Sequence, residues 1–399
     1  MMVLDLSKSV LIVIKGALSS FRKNNDLSAV SALSFSASLA LIPVIFMLTI
    51  LLGALIGSSS EAMSRTQELL RQVIPAYSQD ILNEVRSISA HKGTIGLLNA
   101  VVLLWSMTPL VSEMRSALST IFRKKQTRPF LLEILFDIAI GIIFLMGLTA
   151  IAVIGIIFTL AEQRRDLHLA LGRLEGAAPF LFVTIIVFSL YVVFSHRHHR
   201  FMQLAIGALV ASLLWFAIRP VFNLFLLYNP GYGFTFGSFK SLFVVIIWIY
   251  FSFIAFIIGA EVAASLGRLE TTVMKTLVEG DRNVPLRVIA KYVKYYEPGS
   301  VIFKEGDRGT EMYSVLKGRV AIRNGANEIA VIPEGKYFGE MSYLLSAPRV
   351  VTAVALDAVE LVAISHDNIN RLMNEYPEFV IAMLQELAGR LREINTMID

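Results

Sequence analysis

From Leu27 to Ser60 the chain carries no ionisable residue. A run of that length is too long for an ordinary core helix and long enough to cross a bilayer, where every backbone polar group must be satisfied within the segment itself. Further apolar runs follow at Gly93 to Ser112, about Leu131 to Ala161, Gly176 to Ser195, Phe201 to about Tyr228 and Ser241 to about Ser265. Pro43 marks a kink in the first, and Arg219-Pro220 interrupts the fifth. The spacing predicts six membrane-spanning helices, and composition agrees: 55% of residues are hydrophobic and 17% charged, with a mean hydropathy of +0.66. The chain has no cysteine, which excludes disulfides, thiolate metal sites and a cysteine nucleophile. A net charge of +5 suits a membrane protein facing the cytoplasm as well as a nucleic-acid binder and decides little. No cleavable signal is expected, because the first apolar stretch lacks a small-residue cleavage site.

Residues 3–22 read as an amphipathic helix, with Val3, Leu6, Val10, Val13, Ile14, Ala17 and Phe21 on one stripe and Lys8, Lys15 and Arg22 recurring on another side. Such a helix either lies in the membrane interface, lysines toward anionic headgroups, or packs on the protein's own underside. Residues 61–91 read as two amphipathic helices broken at Pro75, on the far side of the membrane. Six spans place both termini on one side. The N-terminal stripe, the basic run Arg123, Lys124, Lys125, Arg128 and the loop at 196–200 (HRHHR) assign that side to the cytoplasm.

After a polar helical connector at 267–297, containing Gly280 and Pro285, the texture changes. Residues 298–365 alternate apolar and polar positions between regularly spaced glycines, which predicts a small β-barrel or roll. Helices follow at 366–375 and 378–397. Within the roll, Phe338 to Thr352 (FGEMSYLLSAPRVVT) reads as a compact anion site. Gly339 permits a tight turn with exposed amide N–H groups, Glu340 can accept from sugar hydroxyls, and Arg349 offers a planar fork for phosphate.

Two resemblances sharpen this. The stretch PGSVIFKEGDRGTEMYSVLKGRVAI and the cassette FGEMSYLLSAPR, over roughly residues 281–399, resemble the cyclic nucleotide-binding domain, a β-roll with a C-terminal lid helix. The resemblance implies a pocket lined by Phe338, Gly339, Glu340 and Met341, with Glu340 accepting from the ribose 2′-hydroxyl and Arg349 pairing with the cyclic phosphate. Arg390 or Arg392 of the lid would reach the base. Where the family has small or hydroxylated residues after the arginine, this chain has Val350 and Val351, whose branches would crowd the phosphate. The missing hydroxyl favours cAMP over cGMP, and a degenerate roll that binds no nucleotide is the competing reading. No helix-turn-helix follows the lid, so DNA binding is not expected.

The first 266 residues resemble the YihY/BrkB family of bacterial inner-membrane proteins, through AVSALSFSASLALIPVIFMLTILLG, GTIGLLNAVVLLWSMTPLVSEMRSALSTIF and ALVASLLWFAIRPVFNLFLLYNPGYGFTFGS with IIGAEVAAS. A ribonuclease label attached to the family finds no support, since soluble segments hold neither a metal-binding carboxylate cluster nor an acid–base histidine pair. The histidines of HRHHR read as a solvated basic loop rather than a metal site.

Ionisable residues at membrane depth point to function or to structural pairing. Glu113, Glu133, Asp137 and Glu261, with Arg115 close by, fall near cytoplasmic helix ends and predict an acidic cluster around an inner vestibule. Arg219, with Asn223 one turn on, and Lys240 fall toward the outer side, where two cations would suit an anionic solute or a lipid headgroup. The expected protein is a non-enzymatic membrane transporter or lipid translocator regulated by a cyclic nucleotide, with membrane lipids and further copies of itself as candidate partners. The alternative is a scaffold whose roll docks a protein partner. A channel is disfavoured, because no selectivity-filter-like segment is present.

Overall fold

In the computed structural model the described residues are 2–56, 105–123 apart from 106, 129–162, 178–195, 200–228 and 240–385 apart from 282–283, 326, 346 and 382, with a few isolated positions. The chain divides into two compact units, one of residues 16–265 and one that groups residues 1–15 with 266–399.

The helical unit is built from α1 (Met2–Lys23, whose first part belongs to the other unit), α2 (Asp26–Ile56), α3 (Thr108–Ile121), α4 (Phe130–Glu162), α5 (Ala178–Phe194), α6 (Phe201–Tyr228) and α7 (Lys240–Gly267). Among the described residues three helices are long and apolar enough to cross a membrane, Asp26–Ile45, Phe201–Tyr228 and Leu242–Gly267, with a shorter apolar helix at Pro179–Phe194. The expected count of six is therefore not reached among these residues. The second expected run lies mostly outside them, as do residues 71–91 and the histidines of HRHHR. The expected interruption at Arg219-Pro220 is absent, and α6 runs through Pro220 without a break. A helix in hydrocarbon tolerates the one backbone hydrogen bond that proline removes when its neighbours re-satisfy the freed carbonyl. The stripe of α1 splits: Val13 and Ala17 are buried, while Val10 and Ile14 are exposed.

Helices in a bilayer gain little from hydrophobic exclusion and associate through close packing, which small residues permit. Gly207 and Ala211 on α6 face Gly259 and Ala263 on α7. A Cβ at Gly207 would lie 2.5 Å from the Gly259 carbonyl oxygen, and one at Gly259 would lie 2.6 Å from the Gly207 carbonyl oxygen. Tyr191 of α5, fully buried, donates from its hydroxyl to the Phe256 carbonyl beside this crossing.

The second unit contains α8 (Leu269–Val278), α9 (Leu286–Tyr292), strands β1 (Val293–Tyr296), β2 (Val301–Phe303), β3 (Met312–Lys317), β4 (Val320–Asn324), β5 (Asn327–Ile332) and β6 (Tyr337–Phe338), then α10 (Glu340–Leu345), β7 (Thr352–Ala355), β8 (Val359–Ile364) and α11 (His366–Glu375). The strands form two antiparallel four-stranded sheets, ordered β1-β8-β3-β6 and β2-β7-β4-β5. Phe303, Val315, Val320, Phe338, Ala353 and Leu361 fill the space between them. Residues 293–296, expected within the helical connector, instead form β1, with Val293 opposite Val362 and Tyr296 opposite Val359. The rest of the connector holds two helices, α8 and α9, and α8 is not polar throughout. Val273, Met274, Leu277 and Val278 of α8 are buried with Met312, Tyr337, Val362, Leu372, Val380 and Met383 in one apolar cluster.

The Gly207–Gly259 contact leaves no room for a side chain. Gly207→Val should destabilise the helical unit by about 1–3 kcal/mol, read as a lower melting temperature of the purified protein, with Gly207→Ala intermediate.

Candidate functional site

The cassette folds around one side chain. Arg349 lies between α10 and β7 and is 4% exposed. Its backbone is pinned on both sides: the Arg349 N–H donates to the Asp307 carbonyl at 2.9 Å, and its own carbonyl accepts from Gly306 at 2.7 Å. The guanidinium lies over the Phe303 ring, 4.2 Å from its centroid. Nη1 donates to the Gly339 carbonyl at 2.6 Å and Nη2 to the Glu311 carbonyl at 2.5 Å. Nε is buried with no hydrogen-bond partner.

Two glycines make room for this. A Cβ at Gly309 would lie 2.5 Å from Arg349 Nε and Nη2, and one at Gly339 would lie 2.8 Å from Nη1. Gly339 also has φ +78, a left-handed conformation that glycine adopts without penalty. Burial pulls the Arg349 pKa below its ordinary value, opposed by Tyr313, Glu311, Asp307 and Glu340. An arginine still stays charged under all working conditions. This is a buried cation with a donor to spare, ringed by acceptors and glycines. The donor set fits an anionic ligand such as a phosphate diester: Arg349 would hold the charge, and Glu340, half-buried at the start of α10, would accept from a sugar hydroxyl.

The surrounding residues take other roles than the sequence implied. Phe338 is core, 2% exposed, its ring stacked at 5.9 Å on Phe303 and 5.4 Å on Tyr313. Met341 is exposed. The expected crowding by two valines does not hold for Val351, which packs against the core between the sheets, and Val350 is exposed at 54%. Arg390 and Arg392 lie outside the described residues. Sequence reasoning missed Phe303, Gly309, Glu311 and Tyr313, whose approach to Arg349 depends on strand pairing rather than on any local motif.

Glu311 links this site to the roll's edge. Burial would raise its pKa, but Lys294 Nζ at 2.7 Å and the Tyr313 hydroxyl at 3.1 Å hold it below the ordinary carboxylate value. The Tyr313 hydroxyl is pushed up by burial and by the Glu311 charge.

In the helical unit the expected acidic vestibule is instead an ion-pair network. Arg115 donates from Nε and Nη2 to both carboxylate oxygens of Asp137, at 2.8 and 3.0 Å, and its Nη1 lies 3.1 Å from Glu133. Asp137 is buried at 2% exposure, where an unpaired carboxylate would be costly, so the pairing satisfies it in place. Glu113 is half-buried. Glu261, fully buried, accepts from Asn24 Nδ2 at 2.6 Å and lies beside the buried Asp26. Asp26, the first residue of α2, escaped the sequence reading because the charge-free run begins one residue later. Arg219 is half-buried and Asn223 exposed on α6, while Lys240 opens α7 with its side chain outside the described residues. Among the described residues no group of three or more His, Asp or Glu is placed to hold a metal.

The fold and site define a membrane protein with an appended β-roll, and comparison with known proteins agrees. A family model described as virulence factor BrkB matches residues 17–277, and one described as cyclic nucleotide-binding domain matches residues 293–376. The chain belongs to the BrkB family and carries a cyclic nucleotide-binding domain. A UPF0761 membrane protein of Alcanivorax borkumensis is 22% identical over 79% of this chain and 75% of its own length. A second, from Haemophilus influenzae, is 24% identical over 62% of this chain and 93% of its own length. Among solved structures, the Thermus thermophilus catabolite activator protein is 32% identical over 28% of this chain and 55% of its own, with a TM-score of 0.26.

Gly309→Ala should displace the guanidinium and destabilise the roll by about 1–3 kcal/mol, seen as a lower melting temperature. Because the Glu311 pKa is lowered in the fold, its contribution is complete above the carboxylate's unfolded value and disappears as pH falls through the depressed one. For this partly exposed pair that contribution is about 0.2–1 kcal/mol. Lys294→Met should therefore lower the melting temperature at pH 7 and leave it unchanged in strong acid.

Proposed function

We propose that this protein is a bacterial inner-membrane transporter, moving a lipid or anionic solute, whose C-terminal roll binds a cyclic nucleotide in the cytoplasm and thereby biases the helical unit between states. It works by binding and conformational change rather than by catalysis, and both termini are cytoplasmic. The observation that carries the nucleotide reading is the buried Arg349 guanidinium with its unpartnered Nε inside a glycine-lined cradle. A buried donor without an acceptor is costly, and a bound phosphate would supply the acceptor. The missing hydroxyl after Arg349 supports cAMP over cGMP.

Support for coupling comes from α8. It follows α7 after the single residue Arg268 and is buried in the roll's own apolar cluster with Met312, the neighbour of Glu311. A ligand that draws Arg349 away from the Glu311 carbonyl would act on the strand that α8 packs against. Binding can shift the helical unit only by its differential affinity for two states, typically about 1–3 kcal/mol.

One observation favours a second reading, a scaffold whose roll docks a protein partner. Arg349 already satisfies two donors on the backbone carbonyls of Gly339 and Glu311, as a roll that binds no nucleotide would require.

Calorimetric titration of the full-length protein with cAMP, cGMP and cyclic dinucleotides separates them. The sensor reading expects one ligand to bind, with Arg349→Ala about 10- to 100-fold weaker, the range for losing a hydrogen bond to a charged group, while the variant stays folded. The bound ligand should also change protease accessibility in residues 16–265. Absence of binding by every ligand would leave the docking module.

A further inference from the structure

Within the helical unit α2, α3, α4, α5, α6 and α7 line a partly open cavity of about 390 Å³. Its wall is almost wholly apolar, with Ala37, Met114, Val183, Trp215, Trp248 and Phe256 among the lining side chains. The Ser252 hydroxyl in the wall is already spent: it accepts from Trp215 Nε1 at 3.0 Å and donates to the Trp248 carbonyl at 2.8 Å. A polar solute, an ion or a nucleotide would lose its hydration there and find little in return. Water too needs several polar partners to occupy a cavity, and apolar cavities otherwise stay dry. The volume is nevertheless in the range of genuine ligand sites. Among the described residues three helices are long and apolar enough to cross a bilayer, so the surrounding phase is itself a supply of hydrocarbon.

We propose that this cavity holds one acyl chain of a membrane phospholipid. The wall has the chemistry of a hydrocarbon chain, the commonest apolar component of the surrounding bilayer is the phospholipid acyl chain, and the headgroup would stay outside it. The proposal deepens the transport reading by naming the apolar part of the cargo and rests on that reading only for the step from occupancy to passage. Occupancy can be measured without transport and without nucleotide, so the two can fail separately.

The chain contains three tryptophans. Trp105 is exposed at 65%, whereas Trp215 and Trp248 are 8% and 2% exposed and line the cavity. In full-length Trp105→Phe protein, emission therefore comes from the cavity alone. Reconstitution in phosphatidylcholine with mid-chain bromines, which quench indoles on contact, should reduce that emission relative to the unbrominated lipid. Ala37→Phe and, independently, Val183→Phe fill the cavity and should restore the emission, with melting temperature checking that each variant is folded. Equal emission in brominated and plain phospholipid would overturn the proposal. So would quenching by added brominated free fatty acid but not by brominated phospholipid, or quenching that persists in both folded cavity-filling variants.

Discussion

The backbones of α6 and α7 touch at Gly207 and Gly259, and the arrangement around them depends on that contact. With no side chain at either position the two carbonyls approach closely, and Ala211 and Ala263 extend the contact by one turn in each helix. Farther along the same faces the residues become large: Trp215 on α6 meets Trp248 on α7 with ring centroids 5.7 Å apart. Helices that pack tightly at small residues and are held apart at aromatic ones leave space where the change occurs. Ala211 belongs to both regions, since it lies against Gly259 and also lines the cavity. Close packing and cavity thus have one origin, the order of small and bulky residues along two helices.

The roll solves a different problem, that of keeping a charge indoors. Stacking on Phe303, two short hydrogen bonds to carbonyls and the nearby carboxylates of Glu311, Asp307 and Glu340 offset the desolvation of the Arg349 guanidinium. These partners come from the end of β2 and the loop after it, the residue that leads into β3, and the turn after β6. A change in what the guanidinium holds is thereby felt in three places at once, and one of them, Glu311, continues directly into Met312 beneath α8.

Much of this was legible in the sequence. Charge-free runs place the long helices because hydrocarbon admits few alternatives. Of the glycines at 299, 306, 309, 318, 325, 335 and 339 that punctuate the roll, all but Gly309 have positive φ and place its turns. Pairings between distant segments were not legible. That Arg115 would neutralise Glu133 and Asp137 depends on how α3 and α4 are rotated against each other, which spacing along either helix does not determine. Residues 293–296 look like more connector because VKYY alternates too briefly to announce a strand; pairing with β8 makes it one. Phe338 reads as pocket in a local motif and is core in the fold, since two other rings arrive from β2 and β3 to stack on it.

The connector shows how composition can mislead about mechanics. Read by residue type, 267–297 is a polar helical connector, with no apolar face to fix it to the roll. Its first helix instead buries Thr271, Val273, Met274, Leu277 and Val278, so α8 cannot leave the roll without exposing a row of apolar side chains to water, at roughly 25 cal/mol for each Å² uncovered. Only Arg268 separates that helix from the last residue of α7. A tether with slack would dissipate a shift of β3 in loop conformations, whereas a helix bound to the roll along its apolar face carries the shift to its own N-terminal end. Under the proposed reading this makes a sensor of small displacement sufficient, because the element that has to move is already part of the sensor's core.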